Sequence, residues 1–434
     1  MSIRALGPDT TKPARETTAA LPVPGSDDHS PAGARRWAPS QIGASLRRAL
    51  RETSLDSLLL AGTTVVLVVI GVVMVFSSSS VTSLVQDGNP FSAVVKQAGF
   101  AFIGLAAMLL ISRVREETFM RFAWLALAVS CLLQLIVVAT PLGVKVAGNT
   151  NWLNIGPVQL QPCELIKLAL VIWLGLMVSR KERYLGDFRR GLLPILLGSG
   201  FSIGLVAVGG DLGTVVIMVA MVFGALILIG IPWRLFVVPG AAAVVIALAM
   251  AFGSKNRLDR VLAFVNGTSS SGSDYLSSGW QLQHGMFALA NGGIFGVGIG
   301  NSTAKWSWLP AADNDFIFAI IGEELGLIGA IVVLALFAML CYSLIRVFRH
   351  ANTPFGRTAT ASVMVWVMFQ ATANIAVVLG LIPVLGVPLP LVSAGGTALV
   401  STLFAIGVVL SVARQSAGSP ASGRERPSVE PLAR

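Results

Sequence analysis

A chain of 434 residues with 54% hydrophobic and only 12% charged residues carries about half the charge of a soluble domain, which makes it a membrane protein. Its net charge of +10 is spread over short Lys and Arg clusters between apolar runs, a pattern of membrane topology that argues against a nucleic-acid surface. Cys131, Cys163 and Cys341 lie far apart, and with His29, His284 and His350 they form neither a disulfide framework nor a histidine-built metal site.

Residues 1–45 are rich in Pro, Ala, Ser, Thr, Gly and Arg and are expected to form a disordered cytoplasmic tail. The first apolar run begins near Leu55 and is long enough to span, so no signal peptide is expected. About ten runs of spanning length follow, near 55–77, 92–112, 121–140, 163–179, 191–209, 212–230, 235–252, 316–345, 358–380 and 388–413. They predict an all-α polytopic membrane domain over residues 46–413. Gly209, Gly210 and Asp211 make the link between the fifth and sixth runs a turn. Residues 414–434 are expected to be a second disordered cytoplasmic tail.

Arginine clusters orient this bundle. They precede the first run (Arg47, Arg48, Arg51) and follow the second (Arg113, Arg115, Arg121), fourth (Arg180, Arg183, Arg189, Arg190), sixth (Arg234), eighth (Arg346, Arg349, Arg357) and tenth (Arg414). Ten alternating helices put all of them on one side, with both termini in the cytoplasm. The large extracytoplasmic loop, about 253–315, breaks the charge rule with Lys255, Arg257, Arg260 and Lys305, so those cations have another task.

Candidate chemistry gathers on the outer side. Asp315 ends a polar loop that runs straight into the eighth apolar run, where an acid is either functional or an N-terminal helix cap. Ala319, Gly322 and Gly326 follow on its helix face, a strip of small residues that allows close packing or leaves a groove beneath the acid. Glu324 points to the opposite face, toward a polar partner. In NWLNIGPVQLQPCELIK (151–167), Glu164 and Lys167 are three apart on one helix face and can pair at the outer boundary. The plainer reading makes Glu164 a capping acid and Lys167 a snorkelling cation. Arg257 and Arg260 suit a phosphate bidentately, or else lipid headgroups.

Gly296, Gly298 and Gly300 lack a preceding strand and read as tight turns, not as a nucleotide fingerprint. Ser393, Gly395 and Gly396 would re-enter the outer surface beside the last two helices. Trp152, Trp280, Trp306 and Trp308 read as interfacial anchors.

Four motifs then stand in order: QPCELIK (161–167), GGDLGT (209–214), LPAADNDFIFAIIGEELG (309–326) and GLIPVLGVPLPLVSAGG (380–396), with Arg257, Arg260 and Phe264 as a looser fifth. Over about residues 55–413 the chain resembles the SEDS family of polytopic membrane glycosyltransferases, and within it the cell-division branch. The resemblance implies a SEDS-type bundle in the bacterial cytoplasmic membrane, at the division septum, that polymerises lipid II into peptidoglycan glycan strands at the outer membrane face. It implies Asp315 as the catalytic general base of an inverting displacement, with Glu164 and Lys167 matching family positions. Arg257, Arg260, Lys305 and Ser393 complete the expected substrate-binding set. It also implies a class B penicillin-binding protein and other division membrane proteins as partners. A divalent cation, Mg or Mn, would assist without a dedicated cage. The chain departs from the family in Ala311-Ala312-Asp313-Asn314 where a histidine is usual, in Cys163 for Ser, in Gly209-Gly210 for Gln-Pro and in Ala394 for Tyr. The rival readings are a lipid II flippase or other transporter, an elongation-type polymerase of the same family, a noncatalytic scaffold, and a polymerase of another polyprenyl-linked sugar.

Overall fold

The structure, a computed structural model, describes residues 55–418 except 147–148, 156–157, 254–257, 259, 263, 265–277, 306–308 and 310–311. The N-terminal tail, residues 419–434, Lys255, Arg257, Trp306 and Trp308 lie outside the described residues. Apolar segments in hydrocarbon must pair every backbone group internally, and helices do so. The described chain runs through α1 (Leu55–Asp87), α2 (Ser92–Ile111), α3 (Glu116–Ala139), α4 (Pro162–Lys181), α5 (Leu193–Val208) and α6 (Leu212–Leu228). It continues through α7 (Val237–Phe252), a helical stretch around Arg260, α8 (Ser278–Gly292), α9 (Ile317–His350), α10 (Pro354–Val378) and α11 (Gly396–Gly418).

Among the described residues, nine of these helices are long and apolar enough to cross a membrane. α6 stands where the sixth span is expected, but its 17 residues rise only about 26 Å, slightly less than a typical hydrocarbon core. The central helix is α4, most of whose side chains are buried, whereas α7 has no buried residue and lies at the edge. Sidedness is open to a direct check. A cysteine at Asp87 should react with an impermeant thiol reagent in whole cells and one at Leu185 should not; the reverse pattern would invert the arginine-based orientation.

Four features depart from the expected string of helices. Residues 143–160 form a three-stranded antiparallel sheet, order β1 (Gly143–Val146), β2 (Asn149–Ile155) and β3 (Val158–Leu160). Leu153 pairs with Gly143 on one side and Leu160 on the other. The alternation in VQL is a weak sequence signal for it, and TNWLNI does not alternate. The Thr150 N–H donates to the Gly209 carbonyl at 2.9 Å, which fastens the sheet to the α5–α6 turn. The expected open loop of 253–315 contains α8, a helix laid against α9. The last run does not begin near residue 388, because Pro383, Pro388 and Pro390 keep residues 381–395 out of a helix, and α11 starts at Gly396 and continues past residue 413 to Gly418.

The fourth departure is a break in α9 at Gly326, which adopts φ 68° and ψ −167°. The freed carbonyls of Glu323 and Glu324 accept from the N–H groups of Val297 and Gly298, at 3.0 Å each. The glycine-rich turn after α8, with Gly296, Gly298 and Gly300 at φ between 80° and 96°, thus plugs the break. Backbone at membrane depth is satisfied here by protein, as hydrocarbon requires.

Candidate active site

Three consecutive carbonyls hold the Asp315 loop. Ala394 N–H donates to Asp313 O at 2.9 Å, Ser393 Oγ to Asn314 O at 2.6 Å, and Asn374 Nδ2 to Asp315 O at 2.8 Å. The clamp is the irregular 381–395 segment, itself fastened to α10. Asn374 Nδ2 also reaches Val387 O at 2.8 Å, and Gln370 Nε2 reaches Pro388 O at 2.8 Å. Gln370 and Asn374 are one helical turn apart, so α10 presents two amides to one strip of backbone. Leu391, at φ 67°, is the one non-glycine residue with positive φ among the described residues, and it lies in this segment. Such a conformation persists where the surroundings over-determine it.

The N-cap position of α9 is Phe316, which makes no side-chain cap bond, so the helix-cap reading of Asp315 is corrected. Its Oδ1 is inaccessible and accepts no hydrogen bond among the described residues. Arg260 Nε is in the same condition. The two side chains meet at Gly386, where a Cβ would stand 3.5 Å from Arg260 Nη1 and 3.7 Å from Asp315 Oδ2. Gly386 sits at φ 69°, so its backbone favours glycine as well. No ion pair within 4.0 Å joins Arg260 and Asp315 among the described residues.

Electrostatics follow from this enclosure. Burial pushes the Asp315 carboxyl up to about 6, against the pull of the Arg260 charge, with Asp313 and Asp211 adding repulsion. Burial also raises Asp313. Asp211 caps α6, accepting from Thr214 N and Thr214 Oγ1 at 2.9 Å each. A 450 Å³ cavity adjoins the loop, lined among others by Ser79, Asp87, Lys96, Gln97, Gln159 and Asp313. The acid at 313, where the family pattern has no acid, faces this polar space.

Glu164 and Lys167 form a buried ion pair of 2.7 Å, their side chains 3% and 1% exposed. The snorkelling reading of Lys167 is corrected: its ammonium reaches Gln370 Oε1 at 3.2 Å and lies over the Trp366 ring. Ser401 Oγ donates to the other Glu164 oxygen at 3.2 Å. The pair therefore lies behind the clamp, joined through Gln370 to Pro388. Ser393 accepts from Leu389 N–H and donates to Asn314, so its hydroxyl ties backbone together. Lys305 is buried and donates to the Gly300 carbonyl. Arg257 lies outside the described residues.

The small strip below Asp315 is packed, not a groove. A Cβ on Gly322 would stand 2.3 Å from Leu289, and one on Gly326 would stand 2.4 Å from Gly296 N. Glu323 accepts from Asn291 Nδ2 and Thr303 N at 3.0 Å, from Thr303 Oγ1 at 2.7 Å, and from Ser302. It clamps the loop that leads to Lys305. Glu324 accepts from Ser77 of α1 at 2.6 Å, a polar partner on the opposite face. Trp280 stacks on His284 with centroids 4.0 Å apart, a contact within α8.

Gln97, Gln370 and Asn374 were not singled out from the sequence. Their signal was available: an isolated amide in an apolar helix is costly in hydrocarbon and marks a buried partner. Gln97 donates to Ser393 O at 3.2 Å.

A family model described as cell cycle protein, covering FtsW, RodA and SpoVE, matches residues 57–418. The chain is similar to the probable peptidoglycan glycosyltransferase FtsW of Mycobacterium tuberculosis, 36% identical over 348 residues, 80% of this chain and 66% of that protein. It thus spans just under two thirds of that relative's length. It is also similar to the stage V sporulation protein E of Bacillus subtilis, 34% identical over 367 residues, 84% of this chain and 99% of the relative. Among solved structures, a chain from a peptidoglycan synthase complex that coordinates polymerization and crosslinking aligns with a TM-score of 0.65 at 26% identity, over 81% of this chain and 97% of that one. Thermus thermophilus RodA shares the fold, with a TM-score of 0.59 at 24% identity over 82% and 96%.

Proposed function

This chain belongs to the FtsW, RodA and SpoVE family of cell cycle proteins, and from that membership we propose that it is a division-type peptidoglycan glycosyltransferase that polymerises lipid II. The observation that carries the proposal is that Asp315 and Arg260 each keep one buried unpartnered atom, Oδ1 and Nε, and converge on Gly386 through their other ends, Oδ2 and Nη1. A buried polar atom without a partner is costly, and a substrate hydroxyl and a phosphate oxygen would satisfy the two.

The reaction needs one sugar hydroxyl deprotonated while a sugar–pyrophosphate bond breaks with inversion. One general base and a cation at the leaving group suffice, with no protein nucleophile. At neutral pH a carboxyl near 6 is mostly ionised, yet more basic than an ordinary aspartate. Asp315 takes the acceptor hydroxyl proton; Arg260 faces the pyrophosphate as negative charge develops on it. The 450 Å³ polar cavity beside Asp313 is of a size to take a saccharide ring, with amide and carboxylate partners for its hydroxyls. Glu164 and Lys167 support this site from behind, through Gln370. Among the described residues no three His, Cys, Asp or Glu gather to hold a metal. A divalent cation, Mg or Mn, would assist by neutralising charge on the departing pyrophosphate.

Polymerisation of labelled lipid II by the purified chain in detergent tests the activity, because no membrane remains for a flippase to cross. Within that assay, kcat/KM should fall about tenfold per pH unit below about 6, as the base becomes protonated. A flat profile between pH 5 and 8 would reject Asp315 as the base. Arg260→Ala should cost about 10²–10³-fold and move the acid limb above 6, because the cation that favours ionised Asp315 is gone. Arg260→Lys should recover the limb more than the rate, since it keeps charge without the planar fork. A class B penicillin-binding protein is the proposed partner, by analogy with the synthase complex in which polymerization and crosslinking are coordinated. A septal location is part of the same proposal.

A further inference from the structure

At the end of α9 remote from Asp315, a cavity of 1120 Å³ opens between the ends of α4, α6 and α9 and the start of α10. Its lining combines two chemistries. Leu185, Ile229 and Pro232 supply its apolar surface, with Val178 and Ile231 buried beneath them, and Arg349, His350 and Arg357 supply its cations. The acid on the lining is Glu182, which is exposed. His350 is engaged by Asp56 Oδ2 at 2.8 Å, and Arg346 Nε pairs its charge with the other Asp56 oxygen at 2.7 Å without a hydrogen bond. Arg349 and Arg357 form no ion pair among the described residues; Arg357 lies over the Phe348 ring at 5.4 Å. Thr353 and Pro354, at the N-terminal end of α10, also line the cavity, but the positive end of that helix is met by Glu116, which accepts from Thr353 Oγ1 at 2.7 Å.

Cations beside an apolar surface select an amphiphilic anion. The level of the mouth selects further. Tyr184 and Trp233, next in sequence to the lining residues Leu185 and Pro232, are 50% and 65% exposed, as aromatic side chains at the headgroup level are. A cytosolic acidic peptide has no use for the apolar surface. We infer that this cavity binds an anionic phospholipid of the leaflet opposite Asp315, its phosphate on Arg349 and Arg357 and an acyl chain on Leu185, Ile229 and Pro232. The inference is independent of the polymerase reading, since none of these residues belongs to the Asp315 site.

Native mass spectrometry of the full chain in non-ionic detergent tests it, with phosphatidylglycerol titrated against phosphatidylcholine of the same acyl chains. Phosphatidylglycerol adducts should form preferentially. Arg349→Gln and Arg357→Gln should each weaken them about fivefold and the double variant about thirtyfold. Arg189→Gln/Arg190→Gln, exposed cations at the same end but off the cavity lining, should leave them unchanged. Ile229→Asn should weaken phosphatidylglycerol binding as well. Each variant should elute as the parent does on size exclusion in detergent and melt within a few degrees of it, which establishes that it is folded. Parental phosphatidylglycerol binding in the double variant overturns the proposal. Displacement by equimolar inorganic phosphate would mean a phosphate site without a lipid, and tighter binding of a hexaglutamate peptide would mean a protein occupant; either result also overturns it.

Discussion

Asp315→Asn should abolish glycan polymerisation, by about 10²–10⁴-fold, in a chain that expresses, inserts and melts normally. The stability half of this expectation follows from proton linkage. The folded carboxyl titrates near 6, above its ordinary 3.8, so the folded state binds the proton more tightly than the unfolded one. Ionised Asp315 therefore costs stability above about pH 6, and the cost fades as pH falls from there toward 3.8. Asparagine is neutral at every pH and removes it. The loop's own restraints use the carbonyls of residues 313–315, which the substitution leaves in place. The melting temperature at pH 7 should equal or exceed the parent's. A variant that polymerises lipid II within a few-fold of the parent would remove Asp315 from the chemistry. Asp313→Asn should be milder, because that carboxyl lines the neighbouring cavity, whereas Asp315 and Arg260 are the side chains that reach Gly386.

Lys167→Met should destabilise the bundle by about 3–5 kcal/mol, because it strands the Glu164 carboxylate in a site 3% exposed. Glu164→Gln/Lys167→Met should recover most of that loss, since it removes both charges at once. The two variants separate stability from function. Lys167 also holds Gln370, whose other end holds Pro388 in the segment that clamps Asp315. The double variant should thus fold well and polymerise poorly. Thermal unfolding in detergent, followed by the lipid II assay, reads both. A cost below 1 kcal/mol for Lys167→Met would mean that the pair opens to water, where it could touch substrate directly.

Much of this protein is legible in its residues because apolar length is a one-dimensional signal. A run long enough to cross hydrocarbon must be a helix, whatever its neighbours, and so the helices of the bundle could be placed from apolar length, nine of them of spanning length among the described residues and the sixth run shorter. The exceptions are instructive. Residues 388–395 extend an apolar run, yet Pro388 and Pro390 keep them out of a helix, and the amides of α10 hold the carbonyls of Val387 and Pro388. Strands 143–160 are short and alternate poorly, weak signals beside the helices around them.

Within the site, the acid and its cation could be proposed from the sequence, because an ionisable group at the bilayer boundary is costly enough to demand a reason. Sequence could not decide whether Asp315 is a cap or a base. That choice depends on which N–H groups the carboxylate meets, and Phe316 occupies the cap position instead. Nor could it show that Glu164 and Lys167 face inward. An i, i+3 pair looks the same at a helix surface and in a bundle centre until α10 and α11 pack against it. Charge, length and order of motifs are local properties and stand in the chain itself. Which polar atoms are left without a partner is a property of all the elements at once, and tertiary structure alone decides it.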